Sequence, residues 1–154
     1  MDYRNRWEAY CAKNNEDKVS PLLVVQVRDG SDSMITATVI DEVMSVIAEE
    51  SGLSDERAFA HAFQDKGAIQ ADGMTIRHLA PSEISQDPTA GVVFFKTSLN
   101  TVWDCPRAEV MMSFRSANDA THIAQLVGRM VRTPLTRRIE LDERLNSLSP
   151  PSSL

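Results

Sequence analysis

Leu22-Leu23-Val24-Val25-Gln26-Val27 decides the fold of this chain. The run is almost continuously apolar and β-branched, without polar alternation, so it reads as a strand buried on both faces. Pro21 opens it, and the turn-forming loop Arg28-Asp29-Gly30-Ser31-Asp32-Ser33 closes it. Two later runs share its character: Gly91-Val92-Val93-Phe94-Phe95-Lys96 and Ala108-Glu109-Val110-Met111-Met112-Ser113-Phe114. Helical patterns separate them. Thr38 to Glu50 carries Val39, Val43, Met44, Val46 and Ile47 at mostly helical spacing and stops at Ser51-Gly52, where glycine suits the C-terminal cap. A second helix is expected from Ser54 or Asp55 to about Phe63, because Ser54 can cap and Ala58, Phe59, Ala62 and Phe63 share a face. Residues 3–14 suggest a short helix with Trp7, Tyr10 and Cys11 on one side. A polar connection from Gly67 to Gly73 leads to a short strand at Thr75-Ile76-Arg77-His78-Leu79 and a helical turn at Pro81-Ser82-Glu83-Ile84. Asp119 caps a helix running to Arg132, ended by Thr133-Pro134, and Arg138 to Leu141 is a last short strand. Strands alternating with helices predict one α/β domain, its parallel sheet covered on both faces.

The bulk composition fits that reading. At 154 residues, 42% hydrophobic and 25% charged, the chain suits one globular domain with a real core. No apolar run approaches the roughly 20 residues of a membrane span, and the opening Met-Asp-Tyr-Arg-Asn-Arg-Trp lacks the apolar centre of a signal peptide. Cys11 and Cys105 are isolated thiols without metal-ligand spacing, so reduced cysteines and a cytoplasmic setting are expected. The net charge of −6 conceals an asymmetry: residues 1–90 hold 8 Lys and Arg against 16 Asp and Glu, whereas residues 91–138 hold 7 against 3. A basic stretch inside an acidic chain suits a local anion site.

Within that stretch lies Gln125-Leu126-Val127-Gly128-Arg129-Met130-Val131-Arg132. Arginines three apart on a helix share a face, and guanidinium forks match phosphate oxygens. Gly128 removes the side chain beside that face, where backbone or ligand can approach closely. The plainer alternative is an amphipathic helix with Leu126, Val127, Met130 and Val131 in the core and both arginines solvated. About twenty residues earlier, Lys96-Thr97-Ser98-Leu99-Asn100-Thr101-Val102-Trp103-Asp104-Cys105-Pro106 leaves the C-terminal end of a buried strand, where open parallel sheets bind ligands.

In order and separation, these two segments resemble motifs V and VI of the C-terminal RecA-like domain of superfamily two helicases. Gln125 through Arg132 matches the pattern Gln-x-x-Gly-Arg-x-x-Arg, and Phe95-Lys96-Thr97 through Asp104-Cys105-Pro106 matches motif V. The Trp-Asp-Cys-Pro variant and the Thr-Pro after motif VI are most similar to DEAD/DEAH-type helicases related to the type III restriction subunit. The resemblance spans roughly residues 20–141. It implies a RecA-like three-layer α/β/α fold with a mainly parallel sheet, preceded by a helical lead-in over 1–20, filling 21–146, and followed by a disordered tail over 147–154. It also implies site roles. Arg129 and Arg132 would face ATP across a cleft and stabilise charge on the transferred phosphoryl group. Gln125 and Gly128 would help fix the nucleotide, and Asp104 would contact its ribose or hold an arginine. Lys96, Thr97 and Thr101 would meet the nucleic-acid backbone. The strand Leu22–Val27 occupies the place of motif IV by position only. One departure stands out: Val102 replaces the glycine that motif V normally carries before the residue preceding its aspartate.

No Gly-x-x-x-x-Gly-Lys-[Ser/Thr] loop and no Asp-Glu-x-His or Asp-Glu-Ala-Asp box occurs in these residues. The expectation is therefore the second motor domain of a DNA helicase or translocase (RNA is the alternative substrate) in a restriction or phage-defence setting. Its partner is the N-terminal RecA-like domain of the same parent protein, which would hold ATP and most contacts to Mg²⁺. Alone it should not hydrolyse ATP. A non-catalytic nucleic-acid or protein binding module of helicase descent is the competing reading, favoured by Val102. An unrelated nucleotide-binding α/β enzyme is disfavoured because no glycine-rich turn follows the first strand. His61, His78 and His122 have no ligand-spaced partners, so no metal site is expected. Cys105 reads as a packed thiol, Phe94-Phe95 and Met111-Met112 as strand core, and Glu42, Glu49 and Glu50 as a solvated helix face.

Overall fold

A computed structural model describes residues 2–31, 33–97, 103–115, 124–125 and 127–128. The chain opens with α1 (Asp2–Asn14), β1 (Leu22–Gln26) and α2 (Ile40–Ser51). A 3₁₀ turn over Glu56–Ala58 leads into β2 (Phe59–His61), followed by β3 (Ile69–Ala71) and β4 (Met74–His78). The helical turn α3 (Pro81–Ile84), β5 (Val92–Phe95) and β6 (Ala108–Ser113) complete these elements. The six strands form one sheet in the order β3-β4-β2-β5-β1-β6. All neighbours run parallel except the β3–β4 hairpin.

The apolar runs set the centre of this sheet. Val24, Val25, Val92, Val93, Phe94 and Phe95 are fully buried, as a strand covered on both faces requires. Val25, Phe59, Val92 and Phe94 pack with Ile40, Met44 and Ile47 of α2. Val24, Ala60, Val93 and Phe95 pack on the other side with Ile84, Trp103 and Cys105, and half-buried, helical Val127 joins them. The result is an α/β domain with a mainly parallel sheet between two layers, as a RecA-like arrangement demands. Gly52, at φ 68°, closes α2 and donates its N–H to the Ala48 carbonyl at 2.9 Å.

Two expected elements differ. The helix expected up to Phe63 is only one 3₁₀ turn, capped by Asp55 rather than Ser54, before the chain extends into β2. Ala58, Phe59, Ala60, His61, Ala62 and Phe63 are all buried, so the apolar run serves both faces of a central strand. Helical spacing at 58, 59, 62 and 63 coincides with that continuous burial, and tertiary packing decides between them. The polar connection over 67–73 contains β3, and Asp72 and Gly73 at φ 49° and 72° form its primed hairpin turn. The expected tail, the strand over 138–141 and most of the helix over 119–132 lie outside the described residues.

Arg107 corrects the charge reading. It counts toward the basic segment, yet it is buried at the N-terminal edge of the sheet. Its five N–H groups donate to the carbonyls of Ile84 (twice), Ser20, Ala90 and Asp87. Every donor of the guanidinium is thereby used, so Arg107 ties four pieces of backbone together and offers nothing to a ligand.

Glu109 is the extra residue of a bulge: Leu22 pairs with Ala108 and Leu23 with Val110. Its carboxyl is buried beneath α1, where one oxygen accepts from the Trp7 indole N–H and the other has no partner among the described residues. Burial pushes its pKa from 4.5 up to about 7. The folded state thus holds this proton more tightly than the unfolded chain, so stability falls as pH rises from 4.5 toward 7 and then levels. Over that window urea unfolding of the wild type should lose about 3 kcal/mol more than unfolding of Glu109→Gln. Parallel pH profiles for the two proteins would refute this account.

Candidate nucleic-acid interface

Parallel strands bring their C-terminal ends to one edge, and the chain leaves that edge five times: after Gln26, His61, His78, Phe95 and Ser113. A cavity of about 310 Å³ opens there, lined by Asp29, Ile35, Phe63, Gln64, Asp65, Lys96 and Thr97. At the end of β1, Gln26 is wholly buried in an apolar strand. Its side-chain amide donates to the Lys96 carbonyl at 3.2 Å and accepts from the Ser113 hydroxyl at 2.9 Å. One side chain thus locks the exits of β5, β1 and β6 into register.

Lys96 is half-buried, and its Nζ lies 5.2 Å from the centroid of the Phe63 ring. The two carboxylates of the cavity are otherwise engaged. Asp29 pairs with Arg115 at 2.8 Å, and Asp65 accepts from the Gly67 N–H at 3.1 Å. Among the described residues no carboxylate pairs with Lys96. The ammonium therefore keeps its charge available to an anion at the cavity mouth, and the exposed Thr97 hydroxyl stands next to it.

His61 shapes the adjoining loop. Its Nδ1 accepts from the Phe63 N–H at 3.3 Å, so Nε2 carries the proton and donates to the Gly67 carbonyl at 2.9 Å. Burial, chiefly, holds its pKa below 6.5 and keeps the ring neutral. Its ring centroid lies 5.3 Å from that of His78, closer than the sequence separation suggested. No group of three metal-ligating side chains occurs among the described residues.

The remaining site residues divide. Asp104 is exposed between buried Trp103 and buried Cys105, whose thiol pKa is raised by burial. Gln125 and Gly128 are exposed, and a Cβ added at Gly128 would meet no described atom within 4 Å. Val127 between them packs against the cluster holding Trp103 and Cys105, so these three residues share one face of the sheet. Thr101, Arg129 and Arg132 lie outside the described residues. Sequence reading missed Gln26, Phe63 and the Asp29–Arg115 pair. Only Gln26 carried a signal, as a lone amide in a run of aliphatics.

Comparison of the chain with known protein families, curated proteins and solved structures gives no match. Gln26→Leu should cost about 1–3 kcal/mol in urea unfolding, because it removes the donor to the Lys96 carbonyl and the acceptor of the Ser113 hydroxyl in a part-buried site. An unchanged midpoint would show that the strand exits are not held by this amide.

Proposed function

We propose that this chain is the second motor lobe of an ATP-dependent DNA helicase or translocase, contributing nucleic-acid contacts and the arginines of a nucleotide site shared with another domain. The observation that carries the reading is Lys96 and Thr97 at the C-terminal edge of β5, ahead of the Gln125–Arg132 pattern at the spacing of motifs V and VI. Support comes from a cation unmatched by carboxylate at the cavity mouth and from Val127 packing beside Trp103 and Cys105. In this reading Lys96 and Thr97 bind backbone phosphates, which accept from ammonium and hydroxyl groups. Arg129 and Arg132 neutralise the phosphates of ATP held by the partner lobe, and cleft closure couples the two events. In this reading Gly128, with no described atom within 4 Å of an added Cβ, is where the ligand approaches.

In a parent protein that carries the phosphate loop, Arg132→Ala should lower ATPase turnover at least about a hundredfold while DNA binding stays measurable. Retained hydrolysis would overturn the assignment. Single-stranded oligonucleotides titrated against the present chain at several salt concentrations test the other half. Lys96→Ala should weaken binding and reduce the slope of log affinity against log salt by about 0.7. Val102 in the glycine position of motif V favours a second reading, a binding module without motor activity. That reading predicts the same oligonucleotide binding, with no loss of ATPase from Arg132→Ala.

A further inference from the structure

The described residues expose few large apolar side chains, and those few cluster. Met34, Ile35, Val39 and Val46 are each between 46% and 56% exposed, and all lie within thirteen residues on the loop after β1 and on α2. Val39, Val43 and Val46 recur at helical spacing, so they form a stripe along one side of α2. Val43 is only half-buried, and packing against the sheet leaves Val46 more than half open. Such a stripe at the surface marks an interaction site.

Charge on the same face identifies what covers it. Glu42 lies four residues before Val46, and Glu49 and Glu50 lie three and four after it, so carboxylates ring the exposed valine. All three are exposed, and α2 contains no Lys or Arg. None of the ion pairs among the described residues reaches them. Glu49 and Glu50 also occupy the last turn, beside the negative end of the helix dipole, where carboxylates are locally unfavourable. Asp41 is spoken for differently, accepting from the Asp72 N–H at the β3–β4 turn.

We propose that this face docks a basic amphipathic helix of a partner protein, whose apolar seam covers Val39, Val43 and Val46 and whose Lys or Arg residues meet Glu42, Glu49 and Glu50. A helix laid in an apolar groove reads through anchors at i, i+3 or i+4 and i+7, the spacing α2 presents. The carboxylates repel nucleic acid and anionic lipid and set the sign of the partner. Ile35, in the loop before α2, also lines the cavity of the sheet edge. The inference is independent of the motor reading.

The test titrates the full chain into a fluorescein-labelled helical peptide of lysine and leucine with a three-four leucine repeat. An isomer of identical composition, its leucines scattered around the helix, serves as the control. Anisotropy should show the seamed peptide binding at least about tenfold tighter than the isomer, with affinity falling as salt rises. Val46→Ser should remove most of that advantage. The Glu49→Gln, Glu50→Gln pair, conservative and on an exposed surface, should weaken binding about fivefold or more and flatten the salt dependence. Equal binding of the two isomers, or wild-type affinity in Val46→Ser, would overturn the proposal. So would sedimentation showing a self-associated chain that Val46→Ser dissociates, because the occupant would then be a second copy.

Discussion

β1 hydrogen-bonds to β5 on one side and to β6 on the other, and that double pairing constrains nearly everything else. A strand placed there has no solvent face, so its residues must be apolar on both sides, and layers must cover the sheet above and below. Because these pairings are parallel, each return crosses the sheet, and the chain leaves β1, β5 and β6 at the same edge. Lys96, Asp29, Phe63 and Arg115 descend from four different strand exits, yet they meet around one cavity and its rim. The cavity is a product of direction as much as of residue type.

Buried polar groups divide the labour between the two edges. At the strand starts, Arg107 gives all its donors to neutral carbonyls, so its positive charge is held without a direct carboxylate hydrogen bond. At the strand ends, Gln26 performs a similar task without charge. One edge is thereby pinned by a cation whose N–H donors are all engaged. The other is pinned by an amide, and its cation, Lys96, has no carboxylate partner among the described residues. Net charge over a window of sequence cannot distinguish these two uses of a basic residue.

The parts legible in the sequence are those where local pattern and final burial coincide. The aliphatic run at 22–27, the amphipathic segment ending at Gly52 and the proline-started turn at 81–84 each carry a single consistent signal. The stretch 58–63 carries two, since a helical face and a fully buried strand both accommodate its alanines and phenylalanines, and only the neighbours β4 and β5 resolve it. β3 is three residues long, too short for periodicity to register. In the site, Lys96 and Thr97 were legible because they follow a strong strand. The Asp29–Arg115 pair was not, because 86 residues separate its members. Glu109 looked like one more strand residue until the bulge showed which way it had to turn.

The short antiparallel β3 has an effect beyond completing the sheet. It stands at the border next to β4, reverses the direction of the array, and offers an incoming chain only three residues to copy. A long parallel border would act as a template on which another molecule, half-made or partly unfolded, could continue the ladder. Ending the array on a brief reversed strand denies that template its length at this border, whereas the opposite border is the six-residue parallel β6.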